Sequence, residues 1–241
     1  MPEIRLEHIT KRWGKFYGVD DLNLVIENNA FVTLLGPSGC GKTTTLRMIA
    51  GFESPDEGEI YLGNEPINAL TPNKRDTAMV FQSYALLPHY NVFDNVAYGL
   101  KLRKVPKEEI KERVTKILEL VELSGMEARM TNQLSGGQCQ RVAIARAMVT
   151  KPTLLLADEP TGNLDAETRD EIMEIFRMLA DEGKCVILVT HSATVAAQAD
   201  AVYELKKAAP AKKAKKRPTP PAPRTETLPP PPPGGSTLGL D

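Results

Sequence analysis

The segment from Gly36 to Thr43 has the residue types and spacing needed to hold phosphate groups. Its glycines allow several backbone amides to point into one concave loop, and Lys42 adds a positive charge that can reach β- and γ-phosphate oxygens. The hydroxyl of Thr43 suits a Mg²⁺ ion bound between the phosphates. The predicted phosphate loop consists of Gly36, Pro37, Ser38, Gly39, Cys40, Gly41, Lys42 and Thr43.

The Leu134–Gln138 segment, Leu-Ser-Gly-Gly-Gln, predicts a second element that can receive an anion. Ser135 stands just before an apolar-periodic run, where a serine side chain can cap the start of a helix. Gly136 and Gly137 leave the first helical amides uncovered, and these amides lie at the positive end of the helix dipole. The chain therefore contains two separate phosphate-receiving elements.

Two carboxylates stand together at the end of a predicted buried strand. The run from Leu154 is apolar until it reaches Asp158 and Glu159, and strand alternation should direct these two side chains differently. Asp158 is suited to hold the water shell of a metal ion. Glu159 is suited to act as a general base toward water, a role that typically contributes ~10²–10⁴-fold to a rate. The alternative, an acid pair at a helix start before Pro160, is disfavoured by the phosphate loop upstream.

Three further side chains are candidates for contact with a nucleotide. His191 follows the apolar run Cys185–Thr190, at the strand end where α/β sheets place ligand contacts, and could hydrogen-bond a γ-phosphate. Gln82 follows the predicted strand Thr77–Phe81, and its amide either ligates Mg²⁺ or is an ordinary surface group. Trp13, the only tryptophan, either stacks on a base or is a half-buried interface aromatic.

Short apolar runs that alternate with helical patterns predict an α/β fold with a parallel sheet. Helices are expected at residues 42–50, at 166–182, and from Pro106 along an apolar face that reaches Val121. Buried strands are expected at residues 31–35, 77–81, 153–157, 185–190 and 201–205, and half-exposed antiparallel strands at 4–9 and 22–26. These strands lead into the phosphate loop, the acid pair and the other candidates.

Composition limits the class of protein. The chain has 241 residues with 41% apolar content, enough for one α/β domain with its own core. No apolar run approaches the roughly 18–20 residues that would cross a bilayer. The first residues show no apolar signal region, and the three cysteines show no pair spacing, so we expect a cytosolic, reducing environment.

Residues 206–241 differ in composition from the rest of the chain. They carry eight Lys or Arg and two acidic residues, a net charge of +6, whereas the preceding residues carry 22 basic and 29 acidic residues, a net charge of −7. Their lysine, alanine and proline content cannot form a core, so we expect a disordered tail. The tail is either simply solvated or attracted to an anionic membrane surface.

Taken in this order, the motifs closely resemble the nucleotide-binding subunit of an ATP-binding cassette (ABC) transporter, over about residues 3–205. The resemblance implies a P-loop NTPase core with a mixed sheet, an N-terminal antiparallel β subdomain and a helical signature subdomain. The ABC ATPase domain would cover residues 1–205, with the helical subdomain at about residues 83–149. The resemblance implies that Trp13 stacks on the adenine and that the Walker A loop extends from Gly36 to Thr44. It implies Mg²⁺ ligation by Thr43, Gln82 and Asp158, and catalysis by Glu159, His191 and Gln82. It also implies a D-loop, the segment Gly162–Asp165, with Asp165 as its site residue.

The same resemblance implies a use for the second phosphate-receiving element, the family's signature motif. Two copies dimerise head to tail, and Ser135, Gly136, Gly137 and Gln138 of one chain close over the γ-phosphate held by the other. Hydrolysis of ATP with Mg²⁺ opens the dimer and moves transmembrane permease subunits, so the ATPase is peripheral on the cytoplasmic face of the cell membrane. A substrate-binding protein is a further partner of importers, and no nucleic acid is expected.

The resemblance differs along the chain in the kind of transporter it indicates. Residues 31–110 look like importer ATPases for polyamines, ferric iron or sugars, which makes a solute importer the expected function. Residues 161–165 and 190–194 look like ATPases of lipoprotein-release or antimicrobial-peptide export systems, the alternative. A non-transport ABC ATPase is the alternative of another class, disfavoured because the sequence shows neither coiled-coil arms nor a second cassette. A sensor that binds ATP without turnover is opposed by Glu159 and His191.

Overall fold

The computed structural model describes residues 3–207, which contain two β-sheets. A four-stranded antiparallel sheet has the order β2-β1-β4-β5, and a five-stranded parallel sheet has the order β6-β7-β8-β3-β9. The strands are β1 (Ile4–Trp13), β2 (Phe16–Ile26), β3 (Phe31–Leu35), β4 (Glu57–Leu62), β5 (Glu65–Pro66), β6 (Thr77–Val80), β7 (Leu154–Asp158), β8 (Cys185–Thr190) and β9 (Ala201–Glu204). The predicted tail beyond Lys207 lies outside the described residues.

Six α-helices are present in the described part of the chain. They are α1 (Lys42–Ala50), α2 (Val92–Leu102), α3 (Lys107–Leu120), α4 (Gly136–Met148), α5 (Ala166–Asp181) and α6 (Ala193–Ala196), with 3₁₀ turns at Pro72–Lys74 and Thr131–Gln133. Within residues 3–207 no helix is both long and apolar enough to cross a membrane.

The parallel sheet forms the middle layer, because its strands are buried on both faces. Along β7, Leu155 and Ala157 belong to one hydrophobic cluster, which includes the apolar faces of α2, α3, α4 and α5. Leu154 and Leu156 belong to the other, which includes α1 and the inner face of the antiparallel sheet. This two-sided burial explains why the central strands are continuous apolar runs in the sequence.

The structure confirms the predicted α/β P-loop fold, and the predicted strands and helices differ from the observed ones mainly at their ends. The antiparallel strands form a sheet of their own, as expected for the N-terminal β subdomain, and among the described residues the core sheet is entirely parallel, where a mixed core sheet was expected. Strands β1 and β2 are longer than predicted because both continue past bulges in their pairing. Helices α2 and α6 and strands β4 and β5 were not predicted.

Candidate nucleotide-binding and catalytic site

The phosphate loop connects β3 to α1, and its conformation depends on two glycines in the left-handed region. Gly39 has φ +77° and Gly41, the residue before α1, has φ +96°. Lys42 is almost completely buried, and its Nζ donates to the carbonyl oxygens of Gly36 at 2.7 Å and Pro37 at 3.0 Å. The ammonium group is therefore held inside the loop, and its reach to β- and γ-phosphate oxygens stays a prediction.

Thr43 and Asp158 meet at the start of α1 and the end of β7. The Thr43 hydroxyl donates to Asp158 Oδ1 at 2.8 Å, although the residues are far apart in sequence. Burial raises the pKa of the Asp158 carboxyl, an effect that the Thr43 hydrogen bond only partly opposes. Paired oxygen donors beside a phosphate loop fit Mg²⁺, which usually takes one or two protein oxygens together with phosphate and water.

Glu159 lies just beyond β7 in a left-handed backbone conformation, with φ +46°. Such a conformation costs a non-glycine residue about 1–3 kcal/mol and is typical of functional sites. Its backbone amide donates to the Val189 carbonyl at 3.0 Å, which fixes the turn against β8. Glu159 therefore lies in a left-handed turn past the end of β7, and not within the strand whose alternation the sequence suggested.

The Glu159 carboxylate is the meeting point of the two other catalytic candidates. Gln82 Nε2 lies 3.4 Å from Glu159 Oε2, and His191 Nδ1 lies 3.2 Å from the same oxygen. The structure thus brings Glu159, Gln82 and His191 together from three different strand ends. The Gln82 amide contacts Glu159 here, so its predicted metal ligation stays a prediction.

Trp13 ends β1 on the other side of the phosphate loop. Its ring packs directly on Gly18, where an added Cβ would lie 2.3 Å from the ring. The Gly18 carbonyl in turn lies against Gly41, where an added Cβ would come within 2.3 Å of the oxygen. With 47% of its surface exposed, Trp13 is an accessible aromatic ring connected to the phosphate loop by one layer of backbone.

The Leu134–Gln138 segment begins a helix as predicted, and α4 starts at Gly136 with Ser135 as its cap. The Ser135 Oγ accepts from the Gln138 amide at 3.3 Å, and Gln138 Oε1 accepts from the Ser135 amide at 3.1 Å. This reciprocal capping box fixes the entry to the helix. The Gln138 side chain is therefore used within its own chain.

Asp165, the D-loop candidate, caps α5. Its carboxylate accepts from the Thr168 amide at 3.0 Å and the Thr168 hydroxyl at 2.9 Å, and these hydrogen bonds lower its pKa. The Asp-x-x-Thr spacing before an apolar-periodic helix is the sequence signal for this cap, and sequence reasoning missed Thr168.

Sequence reasoning also missed Arg146, near the end of α4. Its guanidinium donates to the carbonyls of Tyr84 at 2.9 Å and Ala85 at 2.6 Å, both in the left-handed region. Arg146 thereby fixes the segment that follows Gln82. Both partners are backbone carbonyls, so no residue pattern indicates the contact.

Two clefts that share no lining residue each contain some of the candidate residues. One, of about 550 Å³, lies between the phosphate loop and His191 and is lined by Gly36 and Pro37. The other, of about 260 Å³, lies at the start of α4 and is lined by Ser135, Gly137 and Gln138. Within one chain, the two phosphate-receiving elements therefore belong to different sites.

A phosphate loop between a parallel strand and a helix, together with two carboxylates at the end of another strand of the same sheet, defines a nucleotide-binding protein of the P-loop class. Residues 19–162 match the model of the ABC transporter family. The chain therefore belongs to the ABC transporter family.

Relatives and solved structures agree with this family. The chain is 53% identical over 189 residues to the spermidine/putrescine import ATP-binding protein PotA of Clostridium acetobutylicum, covering 78% of this chain and 54% of that protein. It is 48% identical over 220 residues to the Fe(3+) ions import ATP-binding protein FbpC of Mannheimia succiniciproducens, covering 88% and 63%. It resembles a dimeric post-hydrolysis structure of the cassette MJ0796 bound to ADP and Pi, with a TM-score of 0.76 and 36% sequence identity. The match covers 84% of this chain and 94% of that one. The chain spans about half to two thirds of the length of these curated relatives.

Proposed function

We propose that this chain is the ATP-binding and ATP-hydrolysing motor subunit of a membrane ABC transporter that imports a solute. The observation that carries the proposal is the convergence of Glu159, Gln82 and His191 beside the Thr43–Asp158 pair. The names of the relatives, a polyamine importer ATPase and a ferric-ion importer ATPase, support import of a polyamine or ferric iron.

In this proposal the phosphate loop holds the triphosphate through its inward-pointing amides and Lys42. Trp13 stacks on the adenine, at a position connected to the loop through Gly18. Thr43 and Asp158, together with Gln82, would hold Mg²⁺, which would supply charge neutralisation on the phosphate oxygens.

Glu159 acts as the general base of hydrolysis. Its carboxylate accepts a proton from water as the water oxygen bonds to the γ-phosphorus. The bond to the β-γ bridging oxygen breaks, and ADP and inorganic phosphate leave. His191 and Gln82, which both contact the same Glu159 oxygen, keep the carboxylate directed toward the water.

The site is completed by a second copy of the chain. Ser135 and Gly137 line a cleft separate from that of His191, so in this proposal the start of α4, where Ser135 is exposed, receives a phosphate that another chain holds. The dimeric structure of the similar cassette supports this arrangement. ATP then favours the closed dimer because its γ-phosphate contacts both chains. A ligand shifts the balance between two states only when it binds one of them more tightly, and in this proposal ATP binds the closed dimer more tightly than the open one.

Contact with transmembrane permease subunits is proposed at the segment around Gln82. Phe81, directly before Gln82, pairs with Phe52 at a centroid distance of 6.0 Å, and Phe52 is 53% exposed. An exposed aromatic pair beside a residue that contacts Glu159 is suited to transmit nucleotide state to a partner surface. In this proposal the protein acts on the cytoplasmic face of the membrane, and a substrate-binding protein would deliver the solute.

The test is Glu159→Gln, which removes the base and keeps the side-chain size. We expect the variant to bind ATP, to form an ATP-dependent dimer by size-exclusion chromatography, and to lose about 10²-fold or more in turnover. Glu174→Gln, the same change on the exposed surface of α5, is the matched control and should keep turnover. Turnover of Glu159→Gln at the wild-type rate would refute the assignment of the base.

A further inference from the structure

Gly137 is held against α5 by one side chain. An added Cβ on Gly137 would lie 2.4 Å from the Thr168 methyl group, closer than side chains pack. Gly136 is less restricted, because an added Cβ there would lie 3.2 Å from the Tyr84 hydroxyl and 3.6 Å from Leu164. The second glycine therefore has a packing constraint within its own chain, apart from any contact with a phosphate.

The same Thr168 side chain is also bound to Asp165. Its hydroxyl and its backbone amide both donate to the Asp165 carboxylate. The methyl group faces α4 and the hydroxyl faces the D-loop, so one residue joins the two segments. One turn further along, Arg141 of α4 pairs with Glu171 of α5 at 2.8 Å and maintains the contact between the helices.

We propose that Thr168 is a positioning residue that sets the start of α4 relative to Asp165 within each chain. The proposal rests on the proposed function, in which the α4 start of one chain receives the phosphate held by the other. Because the Thr168 methyl group occupies the space of a Cβ on Gly137, it fixes how closely α4 approaches the D-loop. Any displacement of Asp165 therefore also displaces the amides of Ser135 and Gly137.

The direction in which Gly137→Ala changes the stability of the chain separates this packing role from a purely local one. Gly137 lies in the first turn of α4 at an ordinary helical φ, where alanine is normally better than glycine for helix stability. Without the Thr168 contact, Gly137→Ala should raise the urea midpoint of unfolding. With it, the midpoint should fall, because overpacking against the methyl group exceeds the gain in helix propensity.

Thr168→Ser is the matched partner for the test, because serine keeps the hydroxyl for Asp165 and lacks the methyl group. We expect Gly137→Ala to bind ATP like the wild-type chain and to lose ATP-dependent dimerisation and about tenfold or more of turnover. In the Gly137→Ala, Thr168→Ser double variant, ATP-dependent dimerisation and turnover should both return to near the level of Thr168→Ser alone. Thr168→Val keeps a methyl group and should not rescue.

Failure of the proposal and failure of the proposed function give different results. If the double variant is as inactive and as destabilised as Gly137→Ala, while the wild-type chain hydrolyses ATP, the packing proposal is overturned. If the wild-type chain neither dimerises with ATP nor hydrolyses it, the proposed function is overturned. The double-mutant cycle in urea unfolding then still measures the Gly137–Thr168 contact by itself.

Discussion

The phosphate loop offers a comparison between two glycines that have similar backbone angles and different surroundings. Gly39 and Gly41 both have positive φ, but an added Cβ on Gly39 meets nothing within 4 Å. An added Cβ on Gly41 would lie 2.3 Å from the Gly18 carbonyl oxygen and 2.8 Å from the Val19 side chain. Alanine should therefore have very different effects at the two positions.

The magnitude follows from two contributions to the free energy of unfolding. A left-handed alanine costs about 1–2 kcal/mol at either position. At Gly41 the contact with β2 adds about 1–3 kcal/mol or more, because a backbone carbonyl cannot turn aside as a flexible side chain can. We therefore expect Gly39→Ala to lose about 1–2 kcal/mol and Gly41→Ala about 2–5 kcal/mol.

Urea unfolding of the nucleotide-free chain, followed by circular dichroism, measures both losses. Gly183→Ala is the control for the backbone contribution alone, because Gly183 has φ +85° and nothing near its Cβ position. A second measurement uses Trp13, the only tryptophan, whose ring packs on Gly18. Its emission should shift in Gly41→Ala and stay unchanged in Gly39→Ala. Equal losses for all three variants, with no shift at Trp13, would refute the packing argument.

Two further predictions concern buried groups. Arg75 donates to two of the last carbonyls of α1, those of Met48 at 2.6 Å and Ile49 at 2.7 Å. Arg75→Met should therefore lower the free energy of unfolding by about 2–4 kcal/mol, and Arg75→Lys should recover part of this loss. An unchanged urea midpoint in Arg75→Met would contradict the prediction. Burial raises the pKa of the Cys185 thiol to about 11, so little reactive thiolate is present there at pH 8. We expect iodoacetamide at pH 8 to modify the more exposed Cys139 before Cys185, with the order of labelling followed by mass spectrometry. Labelling of Cys185 as early as Cys139 would contradict this prediction.

The sequence was most informative where one element determines its own conformation. The phosphate loop, the Ser135 cap and the central apolar strands each depend on local residue types, and the structure has them where they were predicted. Helix α2 was missed because its most buried polar residue, Asn95, contradicts a simple amphipathic pattern. The Asn95 amide donates to the carbonyls of Leu87, Tyr90 and Asn91, contacts that only the folded chain provides.

The site shows the same limit. Sequence position alone indicated Glu159, Gln82 and His191, because each follows a predicted strand. Their convergence on one carboxylate oxygen depends on strand order and on the left-handed turn at Glu159, which the sequence does not reveal. Thr168 was missed because its importance comes from a contact with a different helix.

The central claim is that each ATP site takes its phosphate loop from one chain and its Leu134–Gln138 segment from the other. It is tested by mixing Lys42→Ala, which lacks the phosphate-loop cation, with Ser135→Arg, which blocks the start of α4. Each variant alone should be inactive. A mixed dimer contains one site with both elements intact, so an equal mixture should recover about a quarter of the wild-type turnover if pairing is random in a symmetric dimer. No recovery, in a mixture whose subunit exchange is verified by fluorescence energy transfer, would contradict the shared site.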